Sequence, residues 1–264
     1  MLKLKVGRFS YSNLFPIFYT LEKESDCSEY EFIEGVPSEL NKKIRENEID
    51  VSPSSSIEYL RNPDKYDLLE DHSISSKGPV GSIFLFSRRP VETLNGLTVL
   101  TSSQSETSVA LLKIIFRKFY DIKCNLRSSS LPIAEAIKSN SAYLLIGDEA
   151  LGEALKWPKL FIYDIGEMWY KNTGLPSIFA LWIIRKACCK EKAVILERFK
   201  KDLLKAKKSA LRNFESIAKA SPLRNILSEE ELVSYWKGIS YDFTDEHKRG
   251  LELFRRYAKE LDLI

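Results

Sequence analysis

Strand-like and helix-like stretches alternate through about the first 185 residues. That alternation restricts the chain to an α/β fold with mainly parallel sheets. Strand signals fall at 2–6, 30–34, 49–52, 81–87, 97–101, 142–146, 160–164 and 178–185. Helix signals fall between them at 15–23, 37–47, 55–61, 106–119, 131–138 and 149–155. Over 106–119, Leu112, Ile115, Phe116 and Phe119 recur at i, i+3, i+4 and i+7, which gives one apolar face. From Glu191 onward the pattern is helical, broken at "ASPL" and near "GISYDFT", and no repeat of solenoid period is visible. Two polar connections, "SRRPVETLNG" at 87–96 and "IRKACCKEK" at 184–192, mark expected crossings between lobes. The expected architecture is two-lobed. Residues 1–88 with 187–264 form a discontinuous first lobe carrying the C-terminal helices, and 89–186 form the second. A ligand cleft is expected between the lobes.

Charge and cysteine usage narrow the functional classes. The formal net charge of +3, spread along 264 residues, gives no electrostatic case for nucleic acid. The basic run "RFKKDLLKAKKSALR" keeps a helical period in Leu and Ala, so it reads as the solvated face of a helix. Cysteines at 27, 124, 188 and 189 lack metal-ligand spacing, and His72 and His247 lie far from them in sequence, so no metal site is expected. The opening "LKLKVG" is an alternating strand without an apolar leader, and no apolar run reaches transmembrane length. A soluble, reduced, cytoplasmic protein without membrane contact is the expectation; composition sets no oligomeric state.

Two hydroxyl clusters stand where strands give way to helices. In "SPSSSIEYL" (52–60), Ser55 and Glu58 fit the S-x-x-E capping box, which uses one serine of four. In "TSSQSETSVALL" (101–112), Ser103 and Glu106 fit the same box, leaving Thr107 and Ser108. Helix N-termini at the ends of parallel strands carry unpaired N–H groups and partial positive charge, and such ends share one crevice. One cluster on each lobe suits a ligand with two anionic groups. The G-x-x-x-x-G-K-[ST] phosphate loop is absent, so a small dicarboxylate is the better fit.

Several stretches resemble the chorismate dehydratases of the futalosine route to menaquinone: "VGRFSYSNLFPIFYTLE" (6–22), "ENEIDVSPSSSIEYL" (46–60), "SSKGPVGSIFLFSR" (75–88), "LLIGDEAL" (144–151) and "YDIGEMWYKNTGLPSIFALW" (163–182). The resemblance spans about residues 5–185 and loosely the helical tail. It implies a type II periplasmic-binding-protein-like fold working in the cytoplasm, and the dehydration of chorismate to 3-[(1-carboxyvinyl)oxy]benzoate. It further implies that Ser54, Ser55, Ser56, Thr107 and Ser108 hold carboxylates. Asn13 and Ser82 take the active-site positions, with Tyr11, Phe15, Trp169, Thr173 and Pro176 as walls.

Plainer roles compete for the same residues. Asn13 can cap the helix at 15–23, Asp148 can cap the one after its strand, and Trp169 and Trp182 suit a core. Apart from Glu58 and Glu106, assigned to the capping boxes, no His, Asp, Glu or Lys stands inside the serine clusters or "SYSNLFP", so the proton acceptor is expected to be a substrate carboxylate or an ordered water. No motif for a metal, nicotinamide or flavin is present, and no cofactor is expected. Two rivals share the fold: a non-catalytic cytoplasmic binder of a dicarboxylate, and the sister 1,4-dihydroxy-6-naphthoate synthase. The latter uses a histidine after a second-lobe strand, where "LLIGDEAL" has none.

Overall fold

The computed structural model describes residues 3–9 and 11–264. β1 (Leu4–Phe9) leads into α1 (Phe15–Glu24), β2 (Tyr30–Gly35), α2 (Pro37–Arg45), β3 (Val51–Ser55) and α3 (Ser56–Arg61). Then come β4 (Tyr66–Ser76), β5 (Ile83–Ser87), β6 (Thr98–Ser102), α4 (Thr107–Phe119), β7 (Asn125–Ser129) and α5 (Ile133–Ser139). The chain continues through β8 (Ala142–Ile146), α6 (Gly147–Ala154), β9 (Phe161–Asp164), α7 (Ile165–Thr173) and β10 (Ser177–Arg185). Helices α8 (Cys188–Glu191), α9 (Ala193–Ala210), α10 (Phe214–Ala218), α11 (Glu229–Gly238) and α12 (Asp245–Glu260) follow. The expected strand at 2–6 falls on 4–9, its Leu2 lying outside the described residues.

Contacts gather the chain into two compact units. One comprises residues up to Ile74 with Ala180–Phe243; the other comprises Ser75–Phe179 with Thr244–Ile264. The expected boundaries near 88 and 186 are therefore corrected. The chain changes unit within β4 and β10, two long strands, rather than in the polar connections. The tail is also divided, because α12 belongs to the second unit.

In the first unit the sheet order is β2-β1-β3-β10-β4. β1 runs parallel to β2 and β3, and β10 runs antiparallel to β3 with Ala180 opposite Ser55. Trp182 of β10 is buried as a core residue, with ring centroids 5.7 Å from Phe18 of α1, 6.1 Å from Phe199 of α9 and 6.3 Å from His72 of β4. Leu196, Phe199, Leu203, Ala206 and Ala210 form the buried stripe of α9. Lys201, Lys205 and Lys208 are exposed, as a solvated face requires, but Lys207 departs from that expectation. It is buried, and its ammonium bonds the Asp71 carbonyl and the Asp242 carboxylate. Buried Asp50 accepts from the Lys5 N–H, Arg185 and Lys192, which fastens the start of α9 to the sheet.

The second sheet has the order β7-β6-β8-β5-β9. β8 is buried throughout, which is why its five residues are apolar or small without alternation. Phe86, Leu100, Ile133, Ala136, Tyr143 and Leu145 pack as one cluster. α4 buries Leu111 and Ile114 as well as Leu112, Ile115 and Phe116, a wider face than its spacing suggested.

β4 and β7 carry no strand signal in the sequence, for different reasons. β4 is interrupted by Asp71, whose φ of 61° breaks the alternation of faces. β7 is a polar, largely exposed strand at the sheet edge, where burial imposes no pattern.

His72 gives this fold a definite acid dependence. Burial pushes its imidazole pKa down to about 4 despite the contact of Nδ1 with the Glu70 carbonyl at 2.7 Å; nearby Lys207 works in the same direction. Above pH 6.5 the ring is neutral in both states and its contribution is complete. As pH falls from 6.5 to about 4 the unfolded chain takes up the proton first, so stability is lost across that window. The loss should approach about 3 kcal/mol. Thermal melts of His72→Phe should lack this limb of the stability-versus-pH curve; an unaltered limb would assign it to other groups.

Candidate active site

Val6 of β1 faces Val51 of β3 in parallel, so both strands end at one edge of the first sheet. That edge carries the loop before α1, with Tyr11 and Asn13, and Ser54–Ser56 at the start of α3. Side chains along β3 alternate between faces. Ser52 donates to the Pro53 carbonyl at 2.8 Å and lies against Gly7, where its hydroxyl leaves no room for a Cβ. This fourth hydroxyl is structural. Ser55 points the other way, toward buried Asn41 of α2. Asn41 Nδ2 donates to Ser55 Oγ at 2.7 Å, and Ser55 N–H donates to Asn41 Oδ1 at 3.1 Å. Ser55 Oγ thus accepts from the amide and keeps its own proton to donate.

The capping box expected of Ser55 and Glu58 does not form. Ser55 makes no side-chain cap, and fully buried Glu58 instead binds Arg45 at 2.6 Å, Tyr66 Oη at 2.8 Å and Asn62 at 3.1 Å. Asn13 is not a cap either, since Leu14 holds the N-cap position of α1. Asn13 Oδ1 and Ser54 Oγ are both buried, with no hydrogen-bond partner among the described residues. Leaving such an atom unpaired costs about 1–3 kcal/mol, and folded proteins keep few of them. Two stand on one sheet edge here. Ser10 of the "SYSN" stretch lies outside the described residues. Tyr11 and Phe15 are half-buried, and Phe15 stacks on Tyr19 and on Trp236 of α11.

The second unit has a comparable edge. β6 and β8 run parallel with Thr101 opposite Leu144, and β5 runs antiparallel to β8 with Ile83 opposite Ile146. The ends of β6 and β8 and the start of β5 coincide, bringing Thr107, Ser108, Gly147 and Ser82 to that edge. Thr107 and Ser108 open α4 and are buried. The Ser103–Glu106 box is not formed; Ser105 Oγ accepts from the Ser108 N–H at 3.2 Å instead. Ser82 is buried, and its carbonyl accepts from the Gly147 N–H at 2.8 Å. Asp148 sits in the first turn of α6 and is not its cap.

One carboxylate missed by pattern alone fixes the segment before Ser82. Asp164 caps α7 through the Glu167 N–H at 3.0 Å and also accepts from Val80 N–H at 3.0 Å and Gly81 N–H at 2.7 Å. Burial pushes its carboxyl above the usual range, against the opposing pull of those N–H groups. At Gly166 a Cβ would stand 2.6 Å from Ser76 Oγ and 2.7 Å from the Gly78 carbonyl, so only glycine lets α7 approach. The "GPVGS" and "YDIGEMW" stretches are therefore one construction. The available signal was an Asp immediately before a helical run.

Three expected wall residues have other work. Trp169 is fully buried among Phe119, Phe254 and Tyr257, so it presents no face to a ligand. Its Nε1–H donates to the Pro176 carbonyl at 3.2 Å, and Pro176 is itself buried. Thr173 Oγ1 bonds the Trp169 carbonyl at 2.9 Å, closing α7 before left-handed Gly174. Burial of Trp169 and Pro176 corrects their assignment as walls, since both fill a core; half-buried Thr173 ends the helix beside them. Neither histidine joins an edge, since His72 lies in the first core and His247 engages Thr244 at the start of α12. Among the described residues, no three His, Cys, Asp or Glu side chains gather as a metal site needs, and no helix is long and apolar enough to cross a membrane.

A family model described as menaquinone biosynthesis matches residues 4–260. The chain belongs to that family. Among curated members, the chorismate dehydratase of Thermus thermophilus is 27% identical, covering 94% of this chain and 93% of its own. That of Campylobacter jejuni is 28% identical, covering 97% and 98%. A solved protein of Archaeoglobus fulgidus superposes with a TM-score of 0.82 at 19% identity, covering 99% of this chain and 98% of its own. The periplasmic aliphatic sulphonate binding protein of Escherichia coli superposes at 0.69 and 14% identity, covering 100% and 94%. The fold is the periplasmic-binding-protein type, as the family's motifs implied.

Replacing Asp164 by Ala strands the three N–H groups it serves. Urea denaturation should show a loss of about 2–4 kcal/mol, with less for Asp164→Asn, which retains one acceptor oxygen. Equal midpoints for wild type and Asp164→Ala would show that the carboxylate is not what holds the turn.

Proposed function

We propose that the chain is a lyase that removes water from chorismate to give 3-[(1-carboxyvinyl)oxy]benzoate. Family membership and two dehydratase relatives support this. The structural observation that carries it is the pair of buried, unpartnered oxygens, Asn13 Oδ1 and Ser54 Oγ, on one sheet edge. Ser54, Ser55 and Ser56 suit a carboxylate at the edge of the first sheet; taken by themselves, the hydroxyls of Thr107 and Ser108, with the first N–H groups of α4, suit one in the second unit. Ser55 suits the role because Asn41 already fills its acceptor side. Tyr11 borders the ring.

The reaction breaks a ring C–H bond and the C–O bond of a ring hydroxyl, and forms the double bond that completes an aromatic ring. Substrate and products hold the same atoms and electrons, so nothing is oxidised or reduced and no redox cofactor is called for. The gain from aromaticity leaves the protein mainly orientation and charge placement to supply. Asn13 Oδ1 accepts from the ring hydroxyl or an ordered water; for Ser82, in the second unit, the family resemblance implies an active-site position. The proton leaves the ring carbon for a substrate carboxylate or for that water and is handed on to the departing hydroxyl, which leaves as water. Both histidines are engaged elsewhere, and Asp164 is committed to backbone N–H groups. Four unpaired cysteines suit the reducing cytoplasm, where we place the reaction.

Mixing the protein with chorismate and following aromatic absorbance and the mass of one lost water tests the proposal. Binding without turnover would leave a non-catalytic dicarboxylate binder. Asn13→Ala should fold normally and lose about 2–4 kcal/mol of transition-state stabilisation, read as kcat; a wild-type rate would leave Asn13 a purely structural loop residue. The double variant Ser55→Ala, Ser56→Ala should weaken product binding in calorimetry by roughly 1.5–3 kcal/mol for each hydrogen bond lost to charge. Unchanged affinity would remove that cluster from the carboxylate seat.

A further inference from the structure

Two buried aromatic residues of the helical tail reach back to the loop that carries Asn13. Trp236 of α11 donates its Nε1–H to the Ser12 carbonyl at 3.0 Å. Tyr241, just beyond α11, donates its O–H to the Asn13 carbonyl at 2.7 Å. Those carbonyls belong to the two peptide planes on either side of the Asn13 Cα. Peptide planes are rigid, so fixing both fixes the direction in which the Asn13 side chain leaves the backbone. The donors are themselves held. Phe214 packs on both rings, at 5.7 Å from Trp236 and 6.4 Å from Tyr241. The Tyr241 carbonyl accepts from the Ser73 N–H at 3.1 Å, and Lys207 and Ser73 anchor Asp242.

We infer that Tyr241 and Trp236 are positioning residues for the chemistry of Asn13, acting through the Asn13 and Ser12 carbonyls. The inference rests on the proposed role of Asn13 as an orienting amide. Both aromatics are buried, so they act through the backbone of the loop. Burial holds the Tyr241 phenol well above its ordinary pKa, so it remains a donor at every working pH and adds no titration of its own.

Steady-state turnover of chorismate by wild type, Tyr241→Phe, Asn13→Ala and the double variant tests the inference. Tyr241→Phe should lower kcat about tenfold with KM nearly unchanged, the loss of one buried hydrogen bond expressed in the transition state. In the Asn13→Ala background the same change should have no further effect on kcat, because its target is gone. A wild-type kcat in Tyr241→Phe, or losses that multiply in the double variant, would overturn the inference while leaving Asn13 catalytic. Full activity of Asn13→Ala would instead remove the role of Asn13 itself, and the inference with it. If Tyr241→Phe does not melt as a folded protein, the same cycle run with Trp236→Phe decides by the same criteria.

Discussion

Parallel pairing of β1 with β3 is the constraint from which the first candidate site follows. Parallel strands deliver all their C-terminal ends to one edge, and the chain must leave that edge through loops and helix starts whose N–H groups lack partners. A serine-rich end on β3 and an asparagine in the loop after β1 then become neighbours without any contact between them in sequence. The second unit repeats the consequence with β6 and β8, adding an antiparallel β5 whose start returns to the same edge. What the edges share is geometry; the chemistry comes from which side chains stand there.

Three of the candidate groups are held from behind by residues outside the hydroxyl clusters. Asn41 fills the acceptor side of Ser55, Asp164 gathers the N–H groups ahead of Ser82, and the tail aromatics take the carbonyls around Asn13. In all three the support is a hydrogen bond inside the protein, where a partner lost is not replaced by water. Supporting groups of this kind give ordinary hydroxyls and an amide fixed directions, on each unit separately.

The α/β alternation and the order of elements were legible because burial imposes periods of two and 3.6 on apolar residues. β8, with every residue buried, and α4, with its apolar face, stood out for that reason. β4 did not, since left-handed Asp71 interrupts its faces. The serine clusters were visible as composition, but the partners of each hydroxyl were not. Ser52 and Ser54 differ by two positions on one strand face, yet one lies against Gly7 and the other has an unpartnered oxygen. Trp169 and Pro176 misled because a motif can mark a core as firmly as a ligand wall. Asn41, Asp164 and Tyr241 were hidden by distance: each acts on a residue at least 14 positions away.

The placement of α12 in the second unit has a consequence for the order in which the protein is made. Trp169 packs on Phe254 and Tyr257, and these leave the ribosome after the whole remainder of the first unit. At roughly 5–20 residues per second, the stretch from Thr173 to Leu251 occupies several seconds of synthesis. During that time a tryptophan face of the second core stays open. The first unit can reach its full set of contacts earlier, at Phe243. The nascent chain therefore carries an open apolar face late, in the unit whose strands were translated in the middle.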